Sequence, residues 1–201
     1  MIKKIKFILK SYLIPPGITQ AYQKWNDNRL RKQYSSTSND YDAEKYWNER
    51  LTIYGTSSLL GVGHIGQSEF ENQASYKGAE IIFKALINDL KLKKSANICE
   101  FGFGNGFYTA IMAKSGFSNY IGYDITNALI PDIKRRLKDS SIELKKFDVT
   151  QNKLTSNNQD FIFMIDVTQH IVNKEKLVFC LQNNVVNLLK ENGYFLVTDL
   201  L

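Results

Sequence analysis

An α/β fold built on a parallel sheet is predicted by three observations. From residue 94 onward, short apolar runs alternate with helix-like stretches, the signature of strands joined by right-handed crossovers. Four of these runs meet an acid: Glu100 lies within the first, and Asp124, Asp148 and Asp166 close the next three. Open α/β sheets place their ligands at such strand ends. Finally, Gly102, Gly104 and Gly106 follow the first run directly, where the absence of a Cβ lets the backbone turn sharply and approach a ligand.

The elements follow in order. Strand one is expected at 97–101 and a helix from Phe107 to Ser115. Strand two spans 120–123 and ends at Asp124, with a helix across 131–138 after it. Strand three covers 142–147 and ends at Asp148; strand four covers 161–165 and ends at Asp166. A helix over 174–189 and a fifth strand at 194–198 complete the series. Upstream, residues 69–90 read as a long helix with Ile81, Ile82, Ala85, Leu86 and Leu90 on its core-facing stripe. Residues 42–51 read as a shorter one.

A chain of 201 residues fits one sheet domain with an extension. We expect residues 1–93 to form an amino-terminal extension and helical cap, and 94–201 the ligand-binding domain. Residues 1–50 hold 10 Lys/Arg against 5 Asp/Glu, and the rest 16 against 15. A nucleic-acid-binding core would carry its own basic face, so the near-neutral domain argues against such a partner. Cys99 and Cys180 sit in apolar runs without metal-ligand spacing and read as buried thiols. The two histidines, His64 and His170, give no metal site either. No run is long enough for a membrane span, and a cytoplasmic location follows by default. Residues 2–13 alternate Ile2, Ile5, Ile8, Leu9, Tyr12 and Leu13 with four lysines. Such a helix can rest on the anionic inner membrane surface; its alternative is docking on the domain.

The spacing Glu100-x-Gly102-x-Gly104-x-Gly106 lacks the third glycine of a dinucleotide loop, since position 107 is Phe. It resembles the cofactor loop of class I S-adenosylmethionine-dependent methyltransferases. The resemblance covers roughly residues 94–201 and implies a Rossmann-like parallel sheet with S-adenosyl-L-methionine as cofactor. Glu100 would then hold the methionine amino group, and Gly102, Phe103, Gly104 and Gly106 would cradle the cofactor. Asp124, followed by Ile125, would accept the ribose diol, although NAD offers the same diol and a helix cap is the structural alternative. Asp148 would take the adenine amino group with Val149 beside it; otherwise it is a turn aspartate.

Asp166-Val167-Thr168-Gln169-His170-Ile171 resembles the loop that closes over the methionine end in many small-molecule methyltransferases. His170 would act as general base toward a hydroxyl, or pack beside the cofactor. Tyr46-Trp47-x-x-Arg50 and Gly61-Val62-Gly63-His64 resemble the lead-in of bacterial enzymes of surface polysaccharide and glycan synthesis. Tyr46 and Trp47 would stack on a sugar, Arg50 or His64 would meet an acceptor oxygen, and Phe103, Phe107 and Tyr108 would wall the pocket. The expected reaction is O-methylation of a small molecule or glycan intermediate. The alternatives are an NAD-dependent oxidoreductase and a non-catalytic membrane or partner adaptor. Methyltransferase sheets of this kind continue past strand five, so the chain is expected to be truncated or covered there by a partner.

Overall fold

The computed structural model describes residues 42–54, 58–64, 67–138, 141–155 and 158–198, together with helical positions Ala21, Tyr22, Lys24, Trp25, Asn28 and Arg29. The expected amphipathic segment 2–13 lies outside the described residues.

Helix α1 is Ala43–Tyr54 and helix α2 is Glu69–Leu90, with a 3-10 turn at Leu59–Gly61 between them. Strand β1 (Ile98–Phe101), α3 (Phe107–Lys114), β2 (Tyr120–Asp124), α4 (Ile130–Leu137) and β3 (Ile142–Lys146) follow. Strand β4 (Gln159–Ile165), α5 (Lys174–Cys180), a π-turn at Leu181–Val185, α6 (Val186–Leu188) and β5 (Leu189–Thr198) complete the described chain. The five strands are parallel in the order β3-β2-β1-β4-β5. Chain order reverses between β1 and β4, and the crevice of such a sheet opens beyond that pair's carboxyl ends.

Central strands carry the apolar content that two covered faces demand. Ile98, Cys99, Glu100 and Phe101 are all buried, as are Phe161 to Met164. Edge strand β3 instead alternates, burying Ile142 and Leu144 only. On one face Ile98, Phe161 and Phe163 pack with Phe83 and Ile87 of α2, Met112 of α3 and Ile133 of α4. On the other, Cys99, Phe101, Ile162 and Met164 pack with Cys180, Val185 and Leu188. Both thiols are therefore core groups, and burial pushes them well above the usual cysteine range.

Helix α2 begins where Ser68 and Glu71 exchange capping hydrogen bonds and ends at Lys91, which adopts a left-handed conformation. Its orientation corrects one expectation. Phe83 and Ile87 face the core, with Leu86 and Leu90 partly buried, whereas Ile81, Ile82 and Ala85 point to solvent. The helix carries two apolar stripes, and that of Phe83 and Ile87 wins: the Phe83 ring packs against Tyr108 and Phe163, and Ile87 joins the same core cluster.

Candidate functional site

At the end of β1 three glycines take left-handed backbone angles, with φ of 77°, 50° and 73° at Gly102, Gly104 and Gly106. Each serves a different neighbour. A Cβ on Gly102 would lie 2.3 Å from Val167, and one on Gly106 would lie 2.8 Å from Ile133. A Cβ on Gly104 would meet nothing within 4 Å. The first and third glycines thus close the loop against β4's exit and α4, while the second leaves its backbone open to the crevice. Gly106 does not line the cavity; the space it frees is filled by Ile133, and its role is packing.

Asp124 ties the loop to β2. Its carboxylate accepts from the Gly104 and Thr126 amides, each at 3.0 Å. Burial raises its pKa to about 6, against the pull of those amides. Asp148 accepts from the Thr150 amide at 2.8 Å, its hydroxyl at 2.6 Å and the Gln151 side chain at 2.7 Å. That loop is held from behind by Asn184, which is fully buried in the π-turn. Asn184 donates to the carbonyls of Val149 (2.6 Å) and Asn152 (2.9 Å), and accepts from the Leu154 amide at 2.8 Å. An asparagine inside an apolar helical run gave no signal of this role. Asp166 adopts φ 57°, a conformation asparagine and aspartate tolerate best among residues bearing a Cβ. Its amide and carboxylate both meet the Thr198 hydroxyl at 3.3 Å.

Glu100 requires a correction. Its carboxylate does not face the crevice but is buried under the loop, where the Thr109 hydroxyl donates to it at 2.7 Å and the Tyr120 hydroxyl also donates. Every β1 side chain is buried, and this one points between β1, β2 and α3. Burial lifts its pKa to about 8.

Helix α1 lies across the strand ends. Thr126 donates to Asn48 at 2.6 Å, Lys146 pairs with Glu44 at 2.5 Å, and the Trp47 ring meets His170 edge-on with centroids 4.9 Å apart. Arg50 is buried. Its guanidinium donates to the carbonyls of Gly63 (2.9 Å) and Leu60 (3.3 Å) and lies 5.1 Å from the Trp47 centroid. It thereby clasps the 59–63 turn to α1. His64 is fixed from the far side, where its amide donates to buried Asn72 at 2.9 Å. Tyr46 is a second correction: it is 1% exposed, its hydroxyl takes a hydrogen bond from Arg50 at 3.3 Å, and it does not reach the cavity. On a helix seated over the sheet, adjacent Tyr46 and Trp47 cannot both face the crevice.

One cavity of about 780 Å³ joins these parts. It is lined by Gly102, Phe103 and Gly104; by Asp124 and Ile125; by Asp148 and Val149; and by Asp166 and Val167. Trp47, Arg50, His64, Tyr108 and His170 line its other side. Glu100, Gly106 and Tyr46 are the expected site residues that lie off it. Tyr76 and Phe107 add to that aromatic wall, with rings 4.8 Å apart. Burial first, then the nearby Asp166 charge, pushes the Tyr76 phenol up to about 12 and raises the Tyr108 phenol too. Tyr76 was not singled out from sequence, because it sits on α2 far from any motif. Among the described residues no cluster of three His, Cys, Asp or Glu side chains is arranged to hold a metal.

A parallel sheet in this order, with a glycine turn after β1 and acids at the following strand ends, is the Rossmann-like fold of class I methyltransferases. Residues 99–197 match the family model for the methyltransferase domain. The chain is similar to phosphoethanolamine N-methyltransferase 1 of Haemonchus contortus, a structure in complex with phosphoethanolamine and S-adenosylhomocysteine. The identity is 16%, the TM-score 0.61, and the match covers 78% of this chain and 31% of that one. An S-adenosylmethionine-dependent methyltransferase from Mesorhizobium loti matches at 18% identity and TM-score 0.47, covering 56% of this chain and 51% of that one. One from Aquifex aeolicus matches at 20% identity and TM-score 0.49, covering 58% and 62%. The matches thus span about a third to three fifths of these proteins. No curated protein matches the chain.

S-adenosyl-L-methionine is the cofactor of this domain class, and the cavity fits it. The Gly104 backbone is open to the crevice, and two strand-end carboxylates, Asp124 and Asp148, line the cavity with it.

Proposed function

We propose that the chain transfers the methyl group of S-adenosyl-L-methionine to an oxygen of a small molecule, a sugar or glycan intermediate, releasing S-adenosyl-L-homocysteine. The observation that supports this most is the single cavity shared by the glycine loop, the strand-end acids and both histidines. In this reading the amides around Gly104 and the Asp124 carboxylate receive the nucleoside. Asp124 would hold the ribose diol, and Asp148 with Val149 would hold the adenine edge. Asp166 and Val167 stand at the methionine end.

The bound cofactor supplies an electrophilic methyl, so no covalent enzyme intermediate is needed. The protein's task is alignment, exclusion of water and removal of one proton. Trp47 and Tyr108 flank the acceptor. His170 takes the hydroxyl proton on an imidazole nitrogen as the new C–O bond forms, and His64 is the second candidate base. Arg50 acts through the turn it clasps, since its guanidinium is committed to the Leu60 and Gly63 carbonyls.

We divide the chain into an extension and cap over 1–93 and a cofactor domain over 94–201. Among the described residues no helix is long and apolar enough to cross a membrane. We place the reaction in the cytoplasm, in polysaccharide biosynthesis, with residues 1–13 touching the inner membrane surface. The lysine-interleaved apolar pattern of 2–13 supports that last point.

The test is a thermal shift with S-adenosylhomocysteine beside NADH, followed by labelled-methyl transfer to a panel of nucleotide sugars, amines and phenols. Stabilisation by S-adenosylhomocysteine and label on a sugar hydroxyl are expected. Stabilisation by NADH alone would return the reading to an oxidoreductase, and label on an amine would replace oxygen by nitrogen.

A further inference from the structure

Thr126 stands in the turn after β2 and is anchored at two ends. Its amide donates to one oxygen of the Asp124 carboxylate at 3.0 Å, while the Gly104 amide holds the other oxygen. Its hydroxyl donates to the Asn48 side-chain oxygen at 2.6 Å, reaching α1 across 78 positions of sequence. The residue is 4% exposed and lines the cavity. A hydroxyl has one proton and two lone pairs. The Ala128 amide takes a lone pair at 3.2 Å, which leaves the proton to Asn48 and fixes the rotor. The turn needs only the Ala128 contact to close, so the reach to α1 is more than local folding demands.

Asn48 is placed to pass that anchor on. It follows Trp47, whose ring lines the cavity and stands against His170. Leu51 packs α1 into the core, and the Thr126 hydroxyl sets where the cavity edge of the helix lies. The Glu44–Lys146 pair nearby is almost half exposed at both ends and contributes little. Arg50 faces the 59–63 turn and stays outside this link. Whatever steadies the Asp124 carboxylate steadies the Thr126 amide, and through the hydroxyl it steadies Asn48 and Trp47.

We infer that Thr126 and Asn48 are positioning residues that join the two ends of the site: a nucleoside held at Asp124 tightens the seat of α1, and with it Trp47 against His170. The inference rests on the cofactor reading above and adds to it a dependence of the acceptor end on cofactor occupancy.

Hydrogen exchange on the full chain, read by mass spectrometry with and without S-adenosylhomocysteine, tests it beside a calorimetric Kd. In the parent protein the ligand should slow exchange over residues 43–54 about five-fold, the lower end of ordinary coupling between sites. Asn48→Ala should remove that slowing while the ligand still binds, about five-fold more weakly, because coupling is reciprocal. Thr126→Val should do the same, and Thr126→Ser, which keeps the hydroxyl, should behave as the parent. A merely structural bond gives another pattern: both variants exchange faster throughout, and the ligand slows them as it slows the parent. That pattern would overturn the inference, as would a parent protein that binds S-adenosylhomocysteine with no slowing over 43–54. A parent protein that does not bind it at all would overturn the cofactor reading, and the inference with it.

Discussion

The glycine loop and the α1 cap face the same cavity, but they are held in different ways. At the loop, position is set by backbone. Three residues stand at positive φ, two of them pressed against Val167 and Ile133, and the Gly104 amide is fastened to Asp124. In the cap, position is set by long side chains: Arg50 on two carbonyls, Trp47 against His170, Asn48 on Thr126, Glu44 on Lys146. Backbone geometry of that kind leaves little room for variation, whereas side-chain clasps tolerate exchange and movement. The side assigned to the cofactor is therefore the fixed one, and the side assigned to the acceptor is the adaptable one.

The sharpest way to break this contrast is within the loop itself. Gly102→Val adds both a positive-φ penalty and a collision with Val167, and should cost about 4 kcal/mol or abolish folding, read by urea denaturation. Gly104→Ala meets no neighbour, so it should cost only about 1 kcal/mol in stability while blocking the crevice. Isothermal titration should then show S-adenosylhomocysteine binding lost in a folded protein. Equal damage from the two substitutions would mean that Gly104 serves packing alone.

Asp124→Ala comes next. Removing a buried acceptor of charged hydrogen bonds should weaken S-adenosylhomocysteine binding by about 100-fold, roughly 3 kcal/mol. Because burial lifts Asp124 to about 6, wild-type affinity should itself decline as the pH falls through 6, and the variant should lack that decline. In the cap, Arg50→Lys keeps the charge but replaces a planar fork, one nitrogen of which donates to both carbonyls and the other to Tyr46, by a single ammonium. A loss of about 1–2 kcal/mol is expected, together with a raised KM for the acceptor and an unchanged cofactor Kd. A change in cofactor Kd instead would dissolve the division between the two halves.

The last effect concerns Glu100. Its carboxyl titrates near 8 when folded and near 4.5 otherwise. Between those values the folded form binds more protons, so stability falls as pH rises through 8. Glu100→Gln preserves partners for Thr109 and Tyr120, and it should flatten stability against pH over that window, leaving the variant more stable than the parent at alkaline pH.

The order of strands and helices was legible, and most bounds fell within a residue or two, because central parallel strands need continuous apolar runs and the chain alternates them regularly; β5 starts at Leu189, five residues before the expected 194, and α1 runs three residues beyond the expected end at 51. Direction was less legible. Periodicity shows that α2 has apolar stripes but cannot say which one the sheet takes, and Ile81 and Ile82 lost to Phe83 and Ile87. A strand buried on both sides does not disclose where its acid points, so Glu100 was assigned to the ligand when it belongs to Thr109 and Tyr120. Adjacent Tyr46 and Trp47 read alike in sequence, and only the seating of α1 separates them. Asn72 and Asn184 carry no motif at all, yet they hold the His64 turn and the Asp148 loop.

The placement of Trp47 gives the molecule a built-in optical readout. There are two indoles in the chain: Trp25 lies open to water at 60% exposure, and Trp47 hangs over the cavity with its ring against His170. Quenching by iodide will suppress the former, leaving emission from the latter to report, without any added dye, when the chamber fills.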